Sequence, residues 1–302
     1  MKVCGFTIVK NAIKFDYPVV EAIKSALPLV DKFIVALGDS DDNTEELIRS
    51  INSDKIEYQH SIWPTNNKNG NFLGDETNKA LDQISDEYTW CLYLQSDEVL
   101  HEEDYPVIKA AMEKYEDNLE VDGFLFNWKH FWGNYNYLAY GRKWYRRDMR
   151  IIRNNKKVRS WHDAQGFRKS DGEKPTGVPL DAFIYHYGWV RSPNLMKKKV
   201  NNSLWNKRFW GKGEVQEDEF DFGRDYDCVV PYKGHHPKVM RERMKHINWD
   251  VSINPRIKNY KLKERVLMWF ERLTGHRLFE NQHFHVFGKG KRSSNFWDEP
   301  IF

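Results

Sequence analysis

The chain has 302 residues and a net charge of +3, with 40% hydrophobic, 30% charged and 15% aromatic residues. This composition excludes a disordered or fibrous protein and allows one large α/β domain with an appendage, or two modest domains. Its three cysteines are widely spaced and no run of about eighteen apolar residues occurs, which excludes a disulfide framework and a membrane-spanning helix.

Strands and helices alternate through the first hundred residues. Apolar, β-branched runs predict strands at 2–9, 32–37, 56–60 and 90–94. Helices are predicted between them, at 18–27, 45–51 and 71–84. Four strands alternating with three helices indicate a parallel sheet covered by helices and joined by right-handed crossovers. The predicted fold class is therefore α/β.

The pattern changes after a predicted helix at 104–115, because aromatic segments with more antiparallel character follow. Strand segments are predicted at 123–130, 134–140, 149–153 and 178–189. A helix then begins at Ser192-Pro193 and runs to about 210, followed by an acidic, glycine-containing loop at 211–227. The sheet is therefore expected to be mixed, although mostly parallel.

Polar residues follow the predicted parallel strands at the points where these strands end. The first strand ends in Lys10-Asn11, the second in Gly38-Asp-Ser-Asp-Asp-Asn-Thr44, and the fourth in Gln95-Ser-Asp-Glu98. Ligands of open α/β sheets collect at the carboxyl ends of the strands. The carboxylate of Asp97 is therefore placed to hold a divalent cation that neutralises the phosphates of a nucleotide. The alternative is a solvated acidic turn.

Together with the helix start at 74–81, these strand ends resemble the nucleotide-sugar half of the family-two, GT-A-fold glycosyltransferases. The resemblance covers residues 1–105. It implies an inverting transferase that uses a nucleotide-diphosphate sugar and Mn²⁺ or Mg²⁺. In that family the fourth strand ends in an Asp-x-Asp motif. Here Gln95 stands in place of the first acid, whereas Asp97 matches the last acid, which usually contacts the metal. The implied nucleotide-binding residues are Asn11, Asp39, Asp41, Asn78, Gln95 and Ser96.

The second half resembles a bacterial subgroup of the same family that includes lipopolysaccharide-core and capsule-type glucosyltransferases. Its members carry an Arg-x-x-Arg strand followed by His-Glu, and here Arg150 and Arg153 precede His162-Asp163. The resemblance implies that Asp163 is the general base and that the arginines approach the diphosphate. Because the two arginines are three residues apart on one strand, at most one of them is expected to reach it. One alternative for Asp163 is a carboxylate that only pairs with His162 or Arg159. A second alternative is that an acid of the loop 214–227 is the base.

A further segment, Tyr185-His-Tyr-Gly-Trp189, matches the histidine-containing stretch that returns to the metal or diphosphate in many GT-A enzymes. His186 is thereby implied as a metal ligand or phosphate donor, against the alternative of a satisfied core histidine. The lysine run 197–199 that follows is interpreted as a solvated helix face, with phosphate binding as the second possibility.

These expectations divide the chain into three segments. Residues 1–105 form the nucleotide-sugar half, 106–232 form the acceptor and catalytic half of the same GT-A domain, and 233–302 form a basic, aromatic extension. That extension carries 15 Lys and Arg against 7 Asp and Glu, a net charge of +8, which leaves −5 for the rest. An amphipathic helix at 260–273 either packs back on the catalytic domain or binds a membrane surface as a peripheral contact.

The expected partners are a nucleotide-diphosphate sugar donor and a glycan or lipid-linked glycan acceptor, without nucleic acid. No charged leader precedes an apolar core, so we expect a cytoplasmic protein, peripheral at the inner face of the membrane if the extension binds there. A nucleotidyltransferase is the first alternative, although the glycine-rich loop that cradles a triphosphate is missing near the N-terminus. A nucleic-acid-binding protein is the second, and the acidic first 232 residues argue against it.

Overall fold

The computed structural model describes residues 1–64, 72–202, 215–223, 228–275, 277–280 and 282–288. Its N-terminal half is a parallel sheet in the order β4-β1-β2-β3. These strands are β1 (Val3–Val9), β2 (Lys32–Gly38), β3 (Ile56–Ser61) and β4 (Trp90–Tyr93). The helices between them are α1 (Val19–Ala26), α2 (Thr44–Arg49) and α3 (Phe72–Asp82). The predicted βα alternation is confirmed, within one or two residues at most ends.

The second half extends the same sheet. Its main strands are β5 (Glu98–Leu100), β6 (Gly123–Gly133), β8 (Arg147–Arg153) and β11 (Thr176–Val190), with α4 (Tyr105–Lys114) between the first two. Strand β8 pairs antiparallel with both β4 and β6, β11 pairs parallel with β6, and the short β5 pairs antiparallel with β11. The predicted mixed sheet is therefore confirmed, and residues from both sides of position 105 contribute to it.

Smaller elements complete the chain. They are β7 (Tyr137–Ala139), the hairpin β9 (Val158–Trp161) with β10 (Gly166–Lys169), α5 (Pro193–Asn202), β12 (Val229–Pro231), α6 (Arg241–Lys245), α7 (Leu262–Thr274) and β13 (His285–Val286). The strand predicted at 134–140 is reduced to the three residues of β7. The predicted end of the helix near 210 lies outside the described residues, as do parts of the loop 211–227.

Two apolar layers cover the faces of the sheet. Ile23 of α1 and Ile108 of α4 pack in the layer on one face, whereas Leu81 of α3 packs with Phe167 of β10 on the other. Trp90 of β4 is fully buried, and its indole N–H donates to the Met112 carbonyl at 3.1 Å, so its one polar atom is satisfied. Helices on both faces leave the carboxyl ends of β1, β2 and β4 together at one edge.

The C-terminal extension packs on this body through buried charge. Glu271 of α7 is 2% exposed, and its carboxylate lies 2.8 Å from Arg142 and 2.9 Å from Arg146. Arg146 also pairs with Glu280 at 3.1 Å. The expectation that this helix packs back on the body therefore holds for one of its faces. In the part of the chain described, no helix is both long and apolar enough to cross a membrane.

Candidate active site

The loops after β1 and β2 are fastened to each other by Asn11. Its backbone N–H donates to Ser40 Oγ at 2.9 Å, and its side-chain Oδ1 accepts the Asp41 N–H at 2.9 Å. Asn11 has φ +56°, a left-handed conformation that asparagine adopts more readily than most residues. Asn11 therefore fixes the shape of the acidic loop 38–44 at the sheet edge.

The two predicted nucleoside-binding acids lie on the rim of this loop. Asp39 is paired with Lys10 at 2.7 Å and accepts the Trp63 backbone N–H at 2.9 Å. Asp41 is paired with Lys14 at 2.6 Å. These lysine hydrogen bonds hold the pKa of both carboxyls below the ordinary value, so both are ionised at neutral pH. Because both pairs are solvent-exposed and weak, a ligand can replace either lysine.

A chain of hydrogen bonds fixes the protonation of His186 beside Asp97. His130 Nε2 lies 2.9 Å from the Tyr145 carbonyl, which only accepts, so this nitrogen carries the proton. Burial lowers the pKa of both imidazoles, and the neutral His130 therefore accepts at Nδ1 from His186 Nδ1, 3.0 Å away. His186 Nε2 is left with a free lone pair, 3.9 Å from Asp97 Oδ1.

Two cations lie next to this pair of Lewis bases. Lys199 Nζ is 3.6 Å from Asp97 Oδ2 and donates to the Gly188 carbonyl at 2.8 Å. Burial lowers the pKa of Lys199 to about 7, with Arg191 adding to the effect and Asp97 opposing it. Burial would raise the pKa of Asp97, but the positive charges of Lys199 and Arg191 oppose it, and that pKa stays below the ordinary value. Asp97 is therefore a carboxylate.

Arg191 is fully buried and incompletely satisfied. Its Nη1 donates to the Phe15 carbonyl at 2.6 Å, and its guanidinium carbon lies 5.0 Å from the centre of the Tyr17 ring. Among the described residues its Nε and Nη2 have no hydrogen-bond partner. A buried cation with free donors costs free energy unless an anion or water binds there. These two donors are therefore available to an anion or to water.

The backbone of β11 passes close beneath the site at Gly188. A Cβ added there would lie 2.5 Å from His186 Nε2 and 2.7 Å from Asp97 Oδ2. Both distances are shorter than any normal contact, so only glycine lets the strand approach these two side chains.

Asp97 and His186 offer two protein ligands, which fits a divalent cation that takes its remaining ligands from substrate and water. Two ligands on one ion with bonds of about 2.1 Å are at most about 4.2 Å apart, and Asp97 Oδ1 and His186 Nε2 lie within that limit. Within the described ranges, no three or more His, Cys, Asp or Glu side chains are grouped so that they could hold a metal ion together. Further ligands would therefore come from a diphosphate and water, as Mg²⁺ prefers.

The two arginines predicted to approach the diphosphate form ion pairs and hydrogen bonds within the protein instead. Arg150 is fully buried and forms a bidentate ion pair with Glu98, in which Nε and Nη2 each donate to a carboxylate oxygen at 2.7 Å. Arg153 donates to four main-chain carbonyls, those of Tyr115, Glu116, Asn118 and Val121. Their donors have intramolecular partners, so we remove both from the candidate site.

Three of the implied nucleotide contacts hold the scaffold together. Asn78 exchanges two hydrogen bonds with the Ser160 backbone, at 3.0 and 2.8 Å. Gln95 Nε2 donates to the Ala164 carbonyl at 3.1 Å, and Ser96 Oγ donates to the Ile8 carbonyl at 3.0 Å. Gln95 and Ser96 directly precede Asp97 in the sequence, whereas the side-chain amide of Asn78 is hydrogen-bonded to the backbone of β9.

Asp163 lies in the turn between β9 and β10, which is held against this edge of the sheet. Gly74 donates its N–H to the His162 carbonyl at 3.0 Å, and Arg150 donates to the Gln165 carbonyl at 2.8 Å. The Asp163 carboxylate is half-buried and accepts the Gln165 N–H at 3.3 Å. Arg159, the proposed alternative partner, pairs with Asp82 at 2.5 and 2.8 Å instead.

Sequence reasoning missed His130 and Arg191 and misassigned Lys199. The interpretation of the 197–199 run as solvated is wrong for Lys199, whose side chain is 22% exposed and faces Asp97. The only available signal was its position on the helix after the His186 segment. His130 and Arg191 carry no signal of their own, because their roles depend on pairing between β6 and β11.

No protein-family model matches the sequence, and no curated protein matches it. Solved structures similar to this chain include GT-A glycosyltransferases, the class that the sequence resemblance named. They also include the 4-diphosphocytidyl-2C-methyl-D-erythritol synthase from Anaerococcus prevotii, matched over 51% of this chain and 70% of that chain, with 7% identity and a TM-score of 0.32. S. aureus TarS is matched over 67% of this chain and 40% of that chain, with 14% identity and a TM-score of 0.38. TarS 1–349 in complex with UDP is matched over 67% and 64%, with 15% identity and a TM-score of 0.36.

Glucosyl-3-phosphoglycerate synthase from Mycobacterium tuberculosis, in complex with Mn²⁺, UDP and phosphoglyceric acid, is matched over 42% of each chain, with 15% identity and a TM-score of 0.30. The chain spans less than two thirds of the length of each of these three glycosyltransferase structures.

Proposed function

We propose that this chain is a metal-dependent, inverting glycosyltransferase. It moves a sugar, most simply a hexose, from a nucleotide-diphosphate sugar to a hydroxyl of a glycan or lipid-linked glycan acceptor. The observation that carries the proposal is the facing pair of Asp97 and His186, 3.9 Å apart, beside the half-buried Lys199 and the fully buried Arg191.

The charges around the site support a metal-bound diphosphate. Asp97, Lys199 and Arg191 sum to +1 when Lys199 is protonated, and the imidazole of His186 is neutral. A nucleoside diphosphate brings roughly −3 and a divalent cation +2, so the occupied site is close to neutral. The two free donors of Arg191 would bind phosphate oxygens, with gains of about 1.5–3 kcal/mol for each charged hydrogen bond.

In this proposal Asp97 and His186 would hold Mn²⁺ or Mg²⁺, which would supply Lewis-acid stabilisation of the leaving diphosphate. Lys199 and Arg191 bind that diphosphate and share its developing charge. The loop fastened by Asn11 holds the nucleoside, with Asp39 and Asp41 exchanging their lysine partners for ribose or base donors.

Asp163 is the proposed general base. Its carboxylate takes the proton from the acceptor hydroxyl while the hydroxyl oxygen forms a bond to the anomeric carbon. The bond from that carbon to the diphosphate oxygen breaks on the opposite face, so the anomeric configuration inverts. The half-buried position of Asp163, on a turn hydrogen-bonded to Gln95 and Arg150, supports this role.

The test is a panel of nucleotide sugars and nucleoside triphosphates, each incubated with the protein and Mn²⁺. A glycosyltransferase releases a nucleoside diphosphate from one nucleotide sugar, even slowly with water as the acceptor. A nucleotidyltransferase instead releases pyrophosphate from a triphosphate. Pyrophosphate release without any nucleoside diphosphate would overturn the proposal.

A further inference from the structure

Helix α7 has two opposite faces, of which one is anchored on the body of the protein. Met268 and Glu271 are its buried residues, and Glu271 is held by Arg142 and Arg146. The orientation of the helix is therefore fixed by buried contacts.

Four large apolar side chains lie on the other face. Leu262, Val266, Trp269 and Leu273 are 79%, 57%, 64% and 65% exposed. Their spacing of i, i+4, i+7 and i+11 places them within a stripe about 60° wide, because successive helical residues are rotated by about 100°. The centre of this stripe points roughly opposite to Glu271. Phe279, 86% exposed, lies beside the helix with its ring 6.0 Å from Lys263 Nζ.

The apolar stripe is bordered by basic residues on both sides. Lys263 lies on one border, and Arg265 and Arg272 lie on the other, all three exposed. The two acids of the helix, Glu264 and Glu271, fall on the half that faces the body by the same rotation. The outward half therefore combines exposed apolar surface with positive charge and carries no carboxylate.

We propose that this outward face of α7 docks on the surface of an anionic lipid bilayer. The stripe is about 16 Å long, which suits a helix lying in the plane of the interface and is about half the thickness of the hydrocarbon core. Trp269 at its centre suits the headgroup boundary, and the bordering cations match anionic headgroups. This inference does not depend on the proposed transferase reaction.

Charge favours a bilayer over a second copy of the chain. Two copies related by a twofold axis would bring Lys263, Arg265 and Arg272 against the same basic residues of the other copy, which costs free energy at a contact with no acid on either face. Anionic headgroups remove that repulsion and add about fivefold in affinity for each basic residue near the surface.

The experiment is flotation of the whole chain with vesicles of phosphatidylcholine alone, or of phosphatidylcholine mixed with phosphatidylglycerol. We expect binding only to the mixed vesicles, weakened by salt. Replacing Leu262, Trp269 and Leu273 together by Ser should lower the partition coefficient by about tenfold or more. The exchanges Lys263→Glu, Arg265→Glu and Arg272→Glu together should do the same. Because all six side chains are exposed, the unfolding midpoint should change little.

Matched controls lie elsewhere on the surface. Leu119→Ser removes a leucine that is 80% exposed, and Lys109→Glu reverses an exposed charge on α4, and neither should alter vesicle binding. Equal binding by the wild type and both triple variants would overturn the proposal, as would absence of wild-type binding to the mixed vesicles. Sedimentation equilibrium completes the test, because a dimer that the serine variant dissociates would assign this face to a second copy instead.

Discussion

Replacing Gly188 by Ala tests whether the pair formed by Asp97 and His186 is the functional centre. The added Cβ would lie 2.5 Å from His186 Nε2 and 2.7 Å from Asp97 Oδ2, so both side chains must move. The imidazole cannot turn aside freely, because its Nδ1 is held by His130 at 3.0 Å. The exchange should therefore displace both proposed metal ligands at once without removing any titratable group from the chain.

The size of the effect follows from these contacts. Overpacking of this kind costs about 1–3 kcal/mol of folding free energy. Disturbing the support of metal ligands lowers metal affinity or activity by about 10- to 100-fold. Denaturant unfolding measures the first quantity, and calorimetric titration of Mn²⁺ in the presence of UDP measures the second.

Gly177→Ala is the matched control, because it lies in the same strand and is also buried. Its added Cβ would meet Leu125 at 2.6 Å and Met149 at 2.9 Å, so the loss of stability should be similar. Affinity for metal and nucleotide should stay normal in this variant. If Gly188→Ala binds Mn²⁺ and UDP as the wild type does, the assignment of Asp97 and His186 to a common metal is wrong.

Three further predictions concern single carboxylates. Asp163→Asn should slow transfer by about 10²- to 10⁴-fold with unchanged nucleotide affinity, whereas Glu217→Gln should not; near-normal rates at saturating acceptor would move the base elsewhere. Asp39→Ala should weaken UDP or GDP binding in calorimetry more than it lowers kcat, and unaltered affinity for both would move the nucleoside from this loop. Burial raises the pKa of Asp104 to about 6, so its ionisation destabilises the fold as pH rises from about 4 to 6. Asp104→Asn keeps the acceptor for the Phe183 N–H and should gain about 3 kcal/mol over wild type at pH 8 but little at pH 4. Equal unfolding free energies of Asp104→Asn and the wild type at both pH 4 and pH 8 would contradict this.

The parallel half of the fold was predictable because its strands are continuous apolar runs. Strands β1, β2 and β4 are buried along nearly their whole length, which is the pattern that a sheet covered on both faces requires. Strand β5 was not found, because three residues that begin with a fully buried Glu98 do not read as a strand. Glu98 is buried only because Arg150, 52 residues away, pairs with it.

The site was predictable only where its residues lie at strand ends. Asp97 and the loop 38–44 follow from the rule on the carboxyl ends of parallel strands. Arg150 and Arg153 were misassigned, because a sequence does not say whether an arginine meets a ligand or main-chain carbonyls. The placement of Lys199 and Arg191 depends on the long strand β11 and its register shifts against β6, which are tertiary features.

The most direct test of metal-assisted transfer is turnover of the nucleotide-sugar panel with Mn²⁺, with Mg²⁺ and with EDTA, for the wild type and Asp97→Asn. We predict turnover of one nucleotide sugar that EDTA abolishes and Mn²⁺ or Mg²⁺ restores. We also expect folded Asp97→Asn to lose at least about 10²-fold in rate with either metal, because the cation that neutralises the diphosphate loses its carboxylate ligand. Turnover that is unchanged by EDTA and by Asp97→Asn would contradict the central claim of a metal-assisted transferase.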